Sequence, residues 1–147
     1  MTEFHSLISL ANKKLEILTH AQNLARHQEN MIDEGDCMGL VESLNLSDEA
    51  IEKLKEADEK INSLHERLED HFSLTEYHKQ ADEFARLDRE GRNLSKTVSD
   101  MTLKNQKKAV ELMEIIKGDI QSINKSKKVK SYGNVPLYES VYFDKSR

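Results

Sequence analysis

The residues of this 147-residue chain that could do chemistry are six histidines, one cysteine and 27 carboxylates. Spacing decides what they can do. His65-Glu66 opens like a zinc peptidase helix, which needs a second histidine four residues on. That position holds Glu69, so the two-ligand face is missing. Di-iron bundles place a Glu three residues before an inward histidine. The residues at that offset are Thr2, Ile17, Leu24, Asn62, Leu68 and Thr75, and none is Glu. His20 and His27 are heptad-spaced, as are His71 and His78, which suits boundary positions of a helix better than a metal pair. Cys37 stands beside an expected helix start, where a thiol is acidified, but no histidine or orienting group is spaced to serve it. The five glycines never come closer than four apart, and no Gly-Lys follows Gly35 and Gly39, so there is no phosphate loop. The expectation is a protein that is not an enzyme and takes no metal or cofactor.

The composition points to the elements. Charged residues make up 33% and aromatics 5%, with no Trp and one Pro. That mixture disfavours sandwiches and barrels and suits long helices with narrow apolar seams. No apolar run approaches the length of a bilayer span, so no membrane insertion is expected. The first residues lack a secretion-signal pattern and the single cysteine allows no internal disulfide, so a cytoplasmic location is expected. The charge is uneven. Residues 125–147 carry six Lys/Arg and two acids, while residues 36–72 carry eleven acids and four bases. An acidic body with a short basic end is a poor nucleic-acid partner.

Apolar residues recur at steps of three and four. Phe4, Ile8, Ala11, Leu15, Leu18, Ala25 and Ile32 predict a first helix over about 3–34, with Leu7, Leu10, Leu24 and Met31 widening its face. Glu34-Gly35-Asp36 should end it, with Asp36 capping the next. Leu40, Leu44, Ser47, Ile51, Leu54, Asp58, Ile61 and Leu68 predict a second helix over 37–71: Ser47-Asp48-Glu49 looks like a helix start, but the phase runs straight through it from Leu44 to Ile51, so one helix is expected, with Ser47 the place for a kink. Tyr77, Phe84, Asp88, Gly91, Leu94, Val98, Met101, Asn105, Leu112, Ile116 and Ile123 predict a third over 75–123, capped by Ser73 or Thr75. The fold class is therefore all-α: an antiparallel, coiled-coil-like bundle of three long helices over 1–124, with an irregular tail over 125–147. Asp88 and Asn105 fall on the third seam, where a single buried polar residue fixes register at some cost in stability.

The third helix is the longest, so its far end should be partly uncovered. Its apolar stripe there is Leu112, Ile116, Ile120 and Ile123, with Leu103, Met113 and Ile115 nearby. The same residues could instead be core beneath the first helix or beneath a second copy in a homodimer. Four of the eight aromatics, Tyr132, Tyr138, Tyr142 and Phe143, lie in the last 16 positions, too many for a purely solvated tail. They could fold back over the stripe.

Several short elements spread over nearly the whole chain resemble the FlgN-type flagellar export chaperones. They are the leucine-spaced first helix ending at Glu34-Gly35-Asp36, the acid-rich helix after it, and the stretch from Asn105-Gln106 to Leu112. Lys128-Val129-Lys130-Ser131-Tyr132-Gly133 and Phe143-Asp144-Lys145 complete the set. The resemblance implies a cytoplasmic, ATP-independent chaperone. It would bind the amphipathic terminal helices of flagellar hook-associated proteins and deliver them to the type III export gate. It also gives Asn105 a second role, in the client-binding half of the third helix, and makes Tyr132 the position matching the gate-docking tyrosine. The alternative is a homodimeric coiled-coil adaptor, or a structural or regulatory helical protein without a chaperone role.

Overall fold

A computed structural model describes residues 2–131, with side chains through 125. It contains α1 (Thr2–Glu34), α2 (Cys37–Leu68), two short 3-10 turns (Glu69–His71 and Thr75–Tyr77) and α3 (His78–Ser131). Among the described residues there is no strand, and the all-α bundle expected from the periodicity is what forms. No helix of the described residues is long and apolar enough to cross a membrane. The chain divides into two compact units, Met1–Gln106 and Lys107–Arg147. α3 runs past the boundary expected at residue 125, to Ser131. Nothing in the sequence stops it sooner: the next Gly and Pro after Gly118 are Gly133 and Pro136, and the intervening lysines are good helix formers. Tyr132, Tyr138, Tyr142 and Phe143 lie outside the described residues.

The turn between α1 and α2 follows the expected chemistry. Gly35 sits at φ +73°, where a Cβ would be strained. The Asp36 amide donates to the Met31 carbonyl and the Gly35 amide to the Ile32 carbonyl, a paired closure of the last turn. The Asp36 carboxylate then accepts from the Gly39 amide at 2.9 Å and caps α2. A Cβ on Gly39 would collide with that carboxylate. The start of α3 differs from expectation. Leu74, in extended conformation, holds the N-cap position of the 3-10 turn, and no side chain caps it. At Ser47 there is no new start, since α2 is one helix through it.

In the first unit α1 and α2 run antiparallel, and their backbones make the close approaches of the fold. Small residues allow this: Ser43, Ala50 and Ala57 are buried on α2 at seven-residue spacing. The seam of α2 is thus built from Ser43, Ala50, Ala57, Ile61, Leu64 and Leu68. Leu44 and Ile51, expected on it, are exposed. Lys14–Asp58 at 2.6 Å and Glu3–Arg67 at 3.7 Å mark the antiparallel register.

The large side chains gather where the start of α1, the end of α2 and the start of α3 meet. Phe4, Leu7, Ile61, Leu64, Leu68, Phe84 and Leu87 form this core, with Phe72 and Tyr77 against it. The Phe4 ring stacks on Tyr77 at 4.9 Å and meets Phe72 edge-on at 5.4 Å. Leu7 is fully enclosed. Leu7→Ala should cost about 3 kcal/mol, combining lost transfer energy with an unfilled cavity; urea unfolding followed by circular dichroism measures it. Gly91 behaves oppositely. A Cβ there would meet only a Leu15 methyl carbon at 3.9 Å, an ordinary contact. Gly91→Ala should therefore raise stability by about 0.5–1 kcal/mol in the same assay.

Candidate functional site

The stripe expected on α3 is divided in its exposure. In the second unit Leu112 and Ile116 are half-buried. Met113, Ile115 and Ile123 are exposed, Ile115 by 61%, whereas Ile120 is buried. Beyond Ile116 the buried positions advance by fours, through Ile120 to Asn124, instead of through Asp119 to Ile123. At 3.6 residues per turn a straight helix drifts out of a strict heptad in this direction. Ile115 and Ile123, open to solvent beside half-buried Leu112 and Ile116, can still accept an apolar stripe from another helix, with Met113 on the opposite edge.

Leu103 and Asn105 belong to the first unit and do not share a face. Two residues along a helix is more than half a turn, and Leu103 is exposed while Asn105 is buried. The Asn105 amide donates to the Ala25 carbonyl of α1 at 2.8 Å. Its oxygen, equally buried, has no hydrogen-bond partner. Asn105 is thus buried on the seam and bonded across the α1–α3 contact, the placement that a register role requires. Lys104–Glu29 at 3.7 Å lies in the same contact, and Leu15 beside Gly91 with Ala25 bonded to Asn105 shows that α1 and α3 run parallel. Asp88, the other seam polar residue, is half-buried and turns to Arg92 at 3.0 Å on its own helix.

A second polar pin lies at Gln28, which the periodicity did not single out. Its amide donates to Ser47 Oγ at 2.7 Å and to Ser43 Oγ at 3.2 Å. The signal was the spacing of Ala21, Ala25, Gln28 and Ile32, which puts Gln28 on the seam between Ala25 and Ile32. This contact also explains Ser47, whose hydroxyl serves α1 and not a helix start.

The histidines are spread over separate neighbours. His65 packs on Phe72 with ring centres 4.7 Å apart, His71 meets Tyr77 edge-on, and His78 lies 3.4 Å from Asp82. His20 lines a depression between α1 and α2 with Ile17, Leu46 and Lys53. Among the described residues no group of three His, Cys, Asp or Glu is placed to hold a metal ion. Cys37 is a free thiol and is exposed at the first turn of α2.

Comparison with family models, with curated proteins and with solved structures returned no match.

Asn105 offers a direct test of the register role. Asn105→Leu removes a buried oxygen without a partner, while Ala25 keeps its place in the α1 ladder. The variant should be more stable by about 1 kcal/mol, in the range set by a buried unsatisfied polar group. It should also lose uniqueness of pairing, read as broadened amide resonances or mixed oligomers. Lower stability with sharp resonances would mean that Asn105 is a net stabiliser and not a register device.

Proposed function

We propose that this protein is a cytoplasmic, ATP-independent export chaperone of the FlgN type. It holds the amphipathic terminal helices of flagellar hook-associated proteins and passes them to the type III export gate. The observation that carries the reading is the wide apolar face of the second unit: half-buried Leu112 and Ile116 and exposed Ile123 run between two exposed edges, Ile115 on one side and Met113 on the other. An amphipathic helix laid along it would remove these side chains from water. Each one fully buried contributes about 1.5–3 kcal/mol before the costs of association. A few such side chains give a hold that is specific in shape yet weak enough to be released. Met113 adapts its shape, which suits clients of differing sequence. The buried Ile120 narrows the face, so a client would engage its exposed edge first. The sequence resemblance supplies the identity of the client, and it makes Tyr132 the gate-docking position.

The test uses purified full-length protein and terminal-helix peptides of hook-associated proteins in a fluorescence anisotropy titration. Met113→Asp with Ile123→Asp, both at exposed positions, should weaken binding at least about tenfold while helical content stays unchanged. Tyr132→Ala should keep peptide binding and lose export of the client in cells. Undiminished binding by the double Asp variant would remove the face from the mechanism. A wild-type dimer in sedimentation that the double variant dissolves would favour the adaptor reading instead.

A further inference from the structure

The first half of α2 carries an apolar face that the proposed chaperone reading does not use. Met38, Val41, Leu44 and Ile51 are large apolar residues open to water, Met38 by 87% and Val41 by 60%. They are exposed because α2 approaches α1 through Ser43 and Ala50, which turns the larger side chains away from that contact. Val41, Leu44 and Ile51 recur at steps of three and seven, so they form one stripe along the helix.

The charge around this stripe is one-sided. Between Gln28 and Glu52 the chain has eight acids and no Lys, Arg or His. Asp48 stands one turn beyond Leu44, and Glu52 one turn beyond Asp48, at the edge of the stripe. No ion pair joins Glu42, Asp48 or Glu49 to another described residue. The one such partner of Glu52 is Lys55 at 3.8 Å, and both side chains are exposed. An exposed pair of this kind neutralises little.

We propose that this face docks a cationic amphipathic helix of a partner protein. The apolar stripe takes the partner's apolar face, and the carboxylates meet lysine or arginine side chains at the rim. Charge decides between occupants. A second copy would bring the same acidic rim against this one, and like charges across an interface oppose pairing. An acidic or neutral helix gains the apolar contact alone. A cationic helix gains both terms and is steered in diffusion, more strongly at low salt. The face belongs to α2 within the first unit. It therefore stands or falls independently of the α3 face, whose variants are its control.

The probe is a labelled amphipathic peptide of about 18 residues built from leucine and lysine, paired with its leucine–glutamate counterpart. Full-length protein should bind the lysine peptide, more weakly as salt is raised, and should not bind the glutamate peptide. Val41→Ser with Leu44→Ser and Ile51→Ser should lower the affinity at least about tenfold, since the apolar anchors are lost while the charge is kept. Glu42→Lys with Asp48→Lys and Glu52→Lys should reverse the preference between the two peptides. Met113→Asp with Ile123→Asp should leave lysine-peptide binding unchanged. No binding by the wild type, or equal binding by the serine variant with its helical content intact, overturns the proposal. A wild-type dimer that the serine variant dissolves would assign the face to a second copy. Competition by a peptide of residues 132–147 would assign it to this chain's own end. Either result overturns the proposal as well.

Discussion

The close approach of α1 and α2 is the constraint from which most of the first unit follows. Ser43, Ala50 and Ala57 repeat every seven residues and leave no bulk between the two backbones. A helix pair spaced in this way gains many weak dispersion contacts along its length. Over the first half of α2 it gains little from transfer of that helix's own side chains, because the buried ones there, Ser43 and Ala50, are small. The leucines and isoleucine that a wider seam would have swallowed are therefore turned outward over the first half of α2. Large-side-chain burial is concentrated at the opposite end, around Phe4, Leu7 and Phe84.

Narrow spacing also makes the Gln28 pin possible. Gln28 reaches Ser43 and Ser47 because nothing larger stands between the helices. Asn105 bonds a backbone carbonyl of α1 from α3, across a contact in which the backbones stand further apart. Neither contact adds much net energy, since each replaces bonds to water. Their effect is selective. A slip of one turn in α2 or α3 would bury the same amides without partners, at a cost of several times what the native contact contributes. The partly exposed ion pairs Lys14–Asp58 and Lys104–Glu29 favour the same registers, more weakly.

Much of this architecture was legible from residue spacing, and the two failures at the α1–α2 seam share one cause. The α1 seam, the Gly35-Asp36 turn and the α3 phase through Leu112 and Ile116 follow from periodicity and local backbone chemistry, which the sequence carries directly. The α2 seam did not follow, because size-weighted reading gave it to Leu40, Leu44 and Ile51. Which of two adjacent faces is buried depends on how near the partner helix lies, and only the partner's own small residues determine that. Ala11 and Ala25 of α1 were in view, but their consequence for α2 is a property of the pair. Gln28 was missed for the same reason: a long polar residue on a seam is costly unless hydroxyls stand opposite. The end of α3 was set too early because a change in composition at Lys125 was read as a change in backbone, which lysines do not impose.

The two apolar stripes proposed as docking surfaces lie in stretches of opposite formal charge. Residues 28–52 have eight acids and no base, while residues 107–131 have seven lysines and three acids. Apolar stripes alone discriminate poorly, because one leucine face resembles another. Flanking sequence of opposite charge changes that. A helix with acidic flanks is favoured over the second unit and repelled by α2, and a helix with basic flanks is sorted the other way. The repulsive half of each preference does as much for selectivity as the attractive half. The formal net charge of −5 is thus a poor descriptor of the molecule. What a partner meets is a local field within about one Debye length, roughly 8–10 Å at physiological salt, and within that range the two stretches have opposite sign.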